Sequence, residues 1–289
     1  MVPASPDRRQ RRSRLLGGGG GVVASTTSTV LVIGLLAFLV LLAPGSAEVR
    51  HTFFSLGDMR RALVGDPDHG IFSVAGALVL NIEMFLIAEV LILVLALVIA
   101  VIRQLHAPAL LPIRLLAVAY TDFFRGVPLI LVIYAIGFGL PALNLEVVST
   151  QDPVVYGVAA LVLSYAAYVS EVYRAGIDSV HPSQAAAARS RGLTEWQALR
   201  FVVIPQAVRR VVPPLLNDFI SLQKDTALVA VLGVIEANRA AGIYSSTVFN
   251  YSGYTVAALL FLVLTVPLAR FTDYLVARDR RKRHGEVAA

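Results

Sequence analysis

Uncharged, mainly apolar stretches recur along the chain, each close to the roughly 20 residues needed to cross a hydrocarbon core. No charged residue lies between Arg14 and Glu48, and Val22–Ala43 is the first such span. From Asp68 to Arg103 the only charges are Glu83 and Glu89, so a second span runs from about Val74 to Ile102. A third lies between about Leu115 and Leu140, with Asp122 and Arg125 in its first turns. Asp152 and Glu171 bracket 18 uncharged residues, a fourth. The sixth is the cleanest, since nothing between Arg239 and Arg270 is charged.

The fifth is broken. After Arg210 the apolar run is interrupted by Asn217, Asp218, Gln223, Lys224 and Asp225, and it resumes at Ala227–Ile235. Pro213-Pro214 reads as its helix start. Charges inside a span are costly and normally face protein or a water-filled cavity. Broken helices at that depth are typical of transporters. The pattern therefore predicts an all-α polytopic membrane protein with six transmembrane helices.

The placement of basic residues sets the orientation. With the N-terminus inside, segments 1–21, 103–114, 172–211 and 276–289 face the cytoplasm and hold 18 Arg and Lys. The outer segments 44–73, 141–153 and 237–253 hold 4. Both termini are expected inside. A rival reading makes the first span a signal peptide, with Arg8–Arg14 as n-region and Ser46-Ala47 at the cleavage site. An apolar stretch of 22 residues is long for an h-region, which favours a retained helix. The glycines at 17–21 read as a flexible leader, since no Lys follows them as a phosphate loop requires.

Composition narrows the class further. Hydrophobic residues make up 57% of the 289, and counting the 21 Gly in place of the 10 Tyr raises this to about 61%. Roughly 45–50% is usual on that footing. Charged residues are only 15%. This excludes a soluble enzyme, a nucleic-acid binder and a disordered scaffold. The net charge of +6 sits in loops between apolar runs, as a topology signal does. There is no Cys, no H-x-x-x-H pair and no G-x-x-x-x-G-K-[ST] loop, so neither a catalytic metal nor ATP is expected on this chain.

The longest inner loop carries the strongest local signal. Four alanines and no β-branched residue make Ser183–Arg191 a short helix with Pro182 at its start. Gly192 supplies the left-handed residue that ends it. Thr194 with Gln197 forms a capping box for a second helix, and Pro205 is expected to end that helix. Trp196, Leu199 and Val203 fall on one apolar stripe. Such a hairpin on the inner face reads as a protein-docking element or as a structural interfacial hairpin with Trp196 in the headgroups. A DNA-reading helix-turn-helix is disfavoured because a loop held between two spans can hardly follow a groove.

Residues 182–205 resemble the loop of permease subunits of ATP-binding-cassette importers, whose pattern is E-A-A, three residues, G, nine residues, I-x-L-P. Ala186-Ala187-Ala188, Gly192 and Val202-x-Ile204-Pro205 match that spacing, with Ala186 in place of Glu. Other elements are similar to the polar amino-acid branch. They are Phe124-Arg125-Gly126-Val127-Pro128-Leu129, Glu171-x-x-Arg174-Ala175-Gly176-Ile177, Pro205-Gln206-Ala207, Pro213-Pro214, Asn217 and Phe219–Thr226.

The resemblance implies a five-helix permease domain over 76–277 of the type I importer kind. An N-terminal addition, 1–75, holds the basic leader and first helix, and 278–289 is a basic cytoplasmic tail. It also implies a bacterial cell membrane protein that is not itself an enzyme and carries no cofactor; ATP and Mg would sit on separate ATPase subunits. The other partners implied are a second permease subunit, the same or homologous, and an extracytoplasmic amino-acid-binding protein. Ala187, Ala188, Gly192, Trp196, Leu199 and Pro205 are the residues expected to couple to the ATPase. The substrate class implied is glutamate, glutamine, arginine or histidine.

Other charged positions have two readings each. Glu83 and Glu89 lie six apart, about 240° around a helix, so they cannot form one pair; each is either packed against neighbours or lines a path. Glu83, nearer the outer end, is the stronger candidate for the path. Asp218, Lys224 and Asp225 either stabilise a helix break or form a substrate site or outer gate there. Arg125 and Arg174 read as snorkelling anchors. The cluster Arg278–Arg283 meets anionic lipid. The function that competes with the importer reading is a stand-alone secondary transporter using intramembrane carboxylates, although no inverted repeat is detectable.

Overall fold

The computed structural model describes residues 19–104 and 108–287. Among them every named element is helical, and one isolated bridge, Asp66 to Ile71, is the nearest thing to a sheet. The described residues form two compact units, one up to Leu56 and one from Gly57 onward. The first unit holds α1 (Gly19–Leu41), a 23-residue helix on which the first predicted span falls, and α2 (Ser46–Phe53). Between them the Ser46 hydroxyl and Arg50 Nη1 both donate to the Leu41 carbonyl, each at 3.2 Å.

The second unit opens with α3 (Leu56–Val64) and a tight loop closed by Arg61, Asp66 and His69. Hydrogen bonds from His69 and then Arg61 hold the Asp66 carboxyl below the usual carboxylate range. Its contribution to the loop is therefore present above the ordinary carboxylate pKa and is lost as pH falls through the depressed value.

Five more long or paired segments follow. Helix α4 (Val74–Gln104), helix α7 (Pro153–Asp178) and the Ser252–Arg278 part of α12 (Ser252–Val287) are each long and apolar enough to cross a membrane. The other two are bent pairs. Helix α5 (Leu111–Gly126) turns by 110° into α6 (Leu129–Tyr134), which a π turn over Ala135–Gly139 carries to Ala142. The straight third span expected from the sequence is thus two helices, and Asp122 and Arg125 end the first of them. Val127 is extended (φ −95°, ψ 131°) because Pro128 disfavours the helical conformation in the residue before it.

The second bent pair is preceded by a helical hairpin of α8 (Pro182–Ser190) and α9 (Glu195–Ala198). From α9 the chain stays helical through a π turn at Leu199–Val203 into α10 (Ile204–Asp225), then a 3₁₀ stretch to Leu232. Pro205 does not end the helix. It lies in the first turn after the π turn, where the widened register removes the need for its missing N–H. Pro213-Pro214 does not open a helix either; both prolines lie inside α10. The break comes at Gly233 (φ 87°), after which α11 (Ala237–Val248) leaves at 50°. The sixth span accordingly begins at Ser252, and α11 takes up the first part of the uncharged stretch before it.

The inner core lies between α4 and α7. Met84, Ala88, Ile92, Ala96 and Ile99 share one face of α4 and pack with Leu161, Val162, Tyr165, Ala166 and Val169 of α7. In a membrane such contacts depend on close fit rather than on escape from water, so small residues matter. Gly176 is the tightest case: a Cβ there would run into the Val211 side chain of α10. Gly176→Val is expected to separate α7 from α10 and lower the yield of monodisperse protein, read by fluorescence-detected size exclusion.

A second, outer core gathers Val74 and Leu78 of α4, Ala62 of α3, and Ala237, Ala241 and Tyr244 of α11. Buried polar bonds tie it to the break. Asn81 Nδ2 donates to Thr226 Oγ1 (3.1 Å) and Glu236 Oε2 (3.0 Å), and its Oδ1 accepts from the Ala237 N–H (3.0 Å). Glu236 is fully buried and caps α11 by accepting from the Asn238 and Arg239 N–H groups (2.9 and 2.7 Å). Asn81→Leu leaves the Ala237 N–H without its partner and removes one of the two bonds to Glu236 Oε2. A loss of roughly 1–3 kcal/mol follows, measurable as a lower midpoint of thermal unfolding in detergent.

Candidate functional site

The hairpin of α8 and α9 forms as its residues require. His181 caps α8, its Nδ1 accepting from the Ser183 N–H. Gly192 ends the helix with φ 91°, the Leu193 N–H reaching back to the Ala188 carbonyl (3.3 Å) and the Gly192 N–H to that of Arg189 (2.9 Å). Thr194 and Gln197 close both bonds of a capping box, at 3.3 and 2.9 Å. Each short helix buries one alanine, Ala188 and Ala198, and the two helices touch.

Most of the hairpin's exposed positions are polar, but large apolar side chains are exposed among them. Trp196 and Phe201 are each 64% exposed, and Leu199 and Ile204 are exposed beside them. Ala187 borders a cleft with Arg191, Leu193 and Val202. The predicted stripe is split by the π turn: Leu199 and Val203 join an apolar groove of about 430 Å³ with Val101 and Ile177, which Trp196 does not line. Large apolar side chains exposed on a loop favour contact with a partner.

Two cavities meet where α7 faces α10. One, of about 220 Å³, is lined by Ser164, Tyr165, Tyr168, Asp218, Ser221 and Asp225, with Phe124, Val127 and Leu129 from the bend. The other, of about 440 Å³, shares Tyr168 and Asp218 and adds Arg125, Glu171 and Arg210. The Tyr165 hydroxyl donates to Asp225 Oδ2 (2.6 Å). Of the four intramembrane positions singled out from the sequence, Asp218 and Asp225 come together here. Glu83 is exposed on α4 and lines neither cavity, and Lys224 is exposed although Asp225 beside it faces inward. Glu89, the weaker of the two α4 candidates, is half-buried and also lines neither cavity.

Beside the larger cavity Glu171 gathers arginines from three helices. It bonds Arg103 of α4 and takes Nε and Nη2 of Arg174 at 3.1 and 2.7 Å, while Arg125 of α5 approaches to 3.9 Å. Arg174 also holds Asp178 (2.9 Å), and Arg125 lies over the Tyr168 ring. Arg125 and Arg174 are thus members of an ion-pair network that joins α4, α5 and α7.

The spans, the hairpin and the cavity coincide with a known family. The profile described as the binding-protein-dependent transport system inner membrane component matches residues 111–281, more than half the chain. The chain belongs to this family. The probable glutamine ABC transporter permease protein GlnM of Bacillus subtilis is 38% identical over 168 residues, covering 58% of this chain and 76% of that protein. The probable amino-acid permease protein YxeN of the same organism is 35% identical over 191 residues, 66% and 84% of the two chains. Among solved structures, an amino acid ABC transporter crystallised with histidines superposes with a TM-score of 0.64 at 32% identity, covering 72% of this chain and 93% of that one. The inward-facing MetNI methionine transporter matches at 16% identity and TM-score 0.60, over 74% and 99% of the chains, a likeness of fold alone.

As a binding-protein-dependent inner membrane component the chain is a transport subunit and not an enzyme. Sequence reasoning missed Ser164, Tyr165 and Tyr168, which read as ordinary residues of an apolar span. It also missed the Asn81–Glu236 bond, whose partners are 155 positions apart. The one available signal was Glu171 of the E-x-x-R element, three residues before Arg174 on the same helix face.

Proposed function

We propose that the protein is the permease of an ATP-driven importer for polar amino acids of the glutamate, glutamine, arginine or histidine class. It moves substrate through the α7–α10 cavities and docks its ATPase through residues 182–205. The observation that carries this reading is the cytoplasmic hairpin, a rigid turn at Gly192 followed by an exposed apolar surface around Trp196. The names of the relatives, a probable glutamine permease and a probable amino-acid permease, support an amino-acid substrate.

A second permease subunit pairs with this one across the cavities, and an extracytoplasmic binding protein delivers the solute. ATP-driven closure of the ATPase subunits pushes the hairpins, and the bent pairs transmit the movement. Transport requires that ATP and substrate each favour different states of the pair. Both termini lie in the cytoplasm and residues 44–73 outside, on the strength of the 18-to-4 distribution of basic residues.

Uptake of labelled polar amino acids should fall in a strain lacking the gene and return with it. Unchanged uptake of every amino acid, with loss of some other solute, would reject the substrate class. For the orientation, Ser55→Cys and Ser183→Cys should be labelled from opposite faces by an impermeant maleimide. Labelling of both from outside would reject it.

A further inference from the structure

Two apolar grooves flank one ridge of α10. The first, the groove of about 430 Å³ described above, runs from Val101 of α4 and Ile177 of α7 to Val208, Val212 and Leu215 of α10. Tyr173 brings the one polar side-chain atom among its walls. The second, of about 200 Å³, shares Val208 and Val212 and lies between α10 and α12, where Leu216, Leu275 and Val276 line it. Its single charged residue is Arg209, next to the ridge. Val208, Arg209 and Val212 are all exposed, so the ridge and its cation are open to whatever surrounds this face.

The walls restrict what can lie there. A polar solute would find almost no bonding group in either groove, whereas a hydrocarbon chain needs none. Two chains side by side, one on each flank of a ridge, are what a diacyl lipid offers and a single helix does not. The face also turns away from the α7–α10 cavities. Tyr173 and Ile177 point about 150° around α7 from the residues that line those cavities. With the second subunit across the cavities and the ATPase on the hairpin, as proposed above, this face meets the bilayer.

The charge of the headgroup follows from the hairpin end of the same face. Residues 189–210 hold five arginines and one acid, Glu195, and residues 276–283 of α12 hold five basic residues and one acid, Asp279. Among the described residues neither Arg200 nor Arg209 pairs with an acid; Arg200 lies over the Phe201 ring, and Arg210 donates to the Ser179 carbonyl. Basic residues that border an apolar pocket between helices at a membrane surface suit anionic lipid headgroups.

Resting on that placement of the second subunit, we propose that one anionic diacyl phospholipid binds astride the Val208–Val212 ridge, with one acyl chain in each groove and its phosphate on Arg209. Because α10 continues helically back through the π turn to α9, the lipid lies on the helix that carries the hairpin.

The test is native mass spectrometry of the permease, purified with the subunits that accompany it, from micelles doped with phosphatidylglycerol or with phosphatidylcholine. One phosphatidylglycerol per permease chain should survive activation that strips phosphatidylcholine. Arg209→Gln should weaken that binding about fivefold, the usual share of one basic residue at an anionic surface, and Arg209→Lys should keep most of it. Val208→Trp, which crowds both grooves from an exposed position, should lose the lipid while remaining monodisperse on size exclusion. Equal retention of the two lipids would mean bulk lipid only and overturns the site. Phosphatidylglycerol binding unchanged by Arg209→Gln overturns it as well, whether or not Val208→Trp folds. In native membranes, p-benzoylphenylalanine in place of Val208 should on irradiation add the mass of a phospholipid to the chain. A crosslink to a second permease subunit would overturn the lipid and the placement of that subunit together, while the uptake assay above still decides the amino-acid importer reading by itself.

Discussion

Glu171→Ala is expected to destabilise the protein more than truncation of any other member of its ion-pair network. Its carboxylate neutralises Arg103, which is only 13% exposed on its side chain, and holds Arg174 through two bonds. Removing it strands Arg103 where water cannot fully replace the lost partner. Breaking a buried ion pair from one side costs about 3–5 kcal/mol. The network also joins α4, α5 and α7, so its loss loosens three helices together. Thermal unfolding in detergent should show a markedly lower midpoint for Glu171→Ala, and Glu171→Gln should retain part of the stability through hydrogen bonds alone. A midpoint unchanged from the wild type in both variants would mean that the arginines find other partners.

Gly192→Val is expected to abolish amino-acid uptake without blocking membrane insertion. A Cβ at Gly192 meets no atom within 4 Å, so the penalty is purely one of backbone conformation. At φ 91° an L-residue costs roughly 1–2 kcal/mol, and a β-branched one is the worst fitted to it. The Gly192 and Leu193 N–H bonds to α8 would then give way, and the angle between α8 and α9 would no longer be set. Because the residue lies outside the spans, expression and insertion should match the wild type. Ala186 is exposed and unencumbered, so Ala186→Glu should leave uptake intact. Full uptake by Gly192→Val would show that the turn tolerates another conformation.

The parts of the fold legible in the sequence are those decided by neighbours in the chain. The Gly192 turn and the Thr194–Gln197 box depend on residues within a few positions, and each forms as expected; of the apolar stretches, the second, the fourth and most of the sixth form long helices. Pro205 and Pro213-Pro214 misled because a proline forbids one hydrogen bond, not a helix; a π turn and the first-turn position absorb the first of them. The 110° bend was written in Val127-Pro128 but masked by the apolar residues on both sides. The site was half legible. Asp218 and Asp225 stand out as charges in a span, whereas Ser164 acquires meaning only when α7 packs against α10 and its hydroxyl is left without a partner. Glu83 and Glu89 could be told apart only by which face of α4 meets α10.

Docking of the ATPase on the hairpin is tested most directly by co-purification with a Trp196→Asp permease. The side chain is 64% exposed on α9, so a charge there leaves the permease fold intact while placing a desolvation penalty in the contact with the partner. A tagged wild-type permease should bring the ATPase through affinity purification and size exclusion. The Trp196→Asp protein should elute without the ATPase, at the same expression level and with substrate uptake lost. Stoichiometric ATPase on the variant, together with wild-type uptake, would contradict docking at this hairpin.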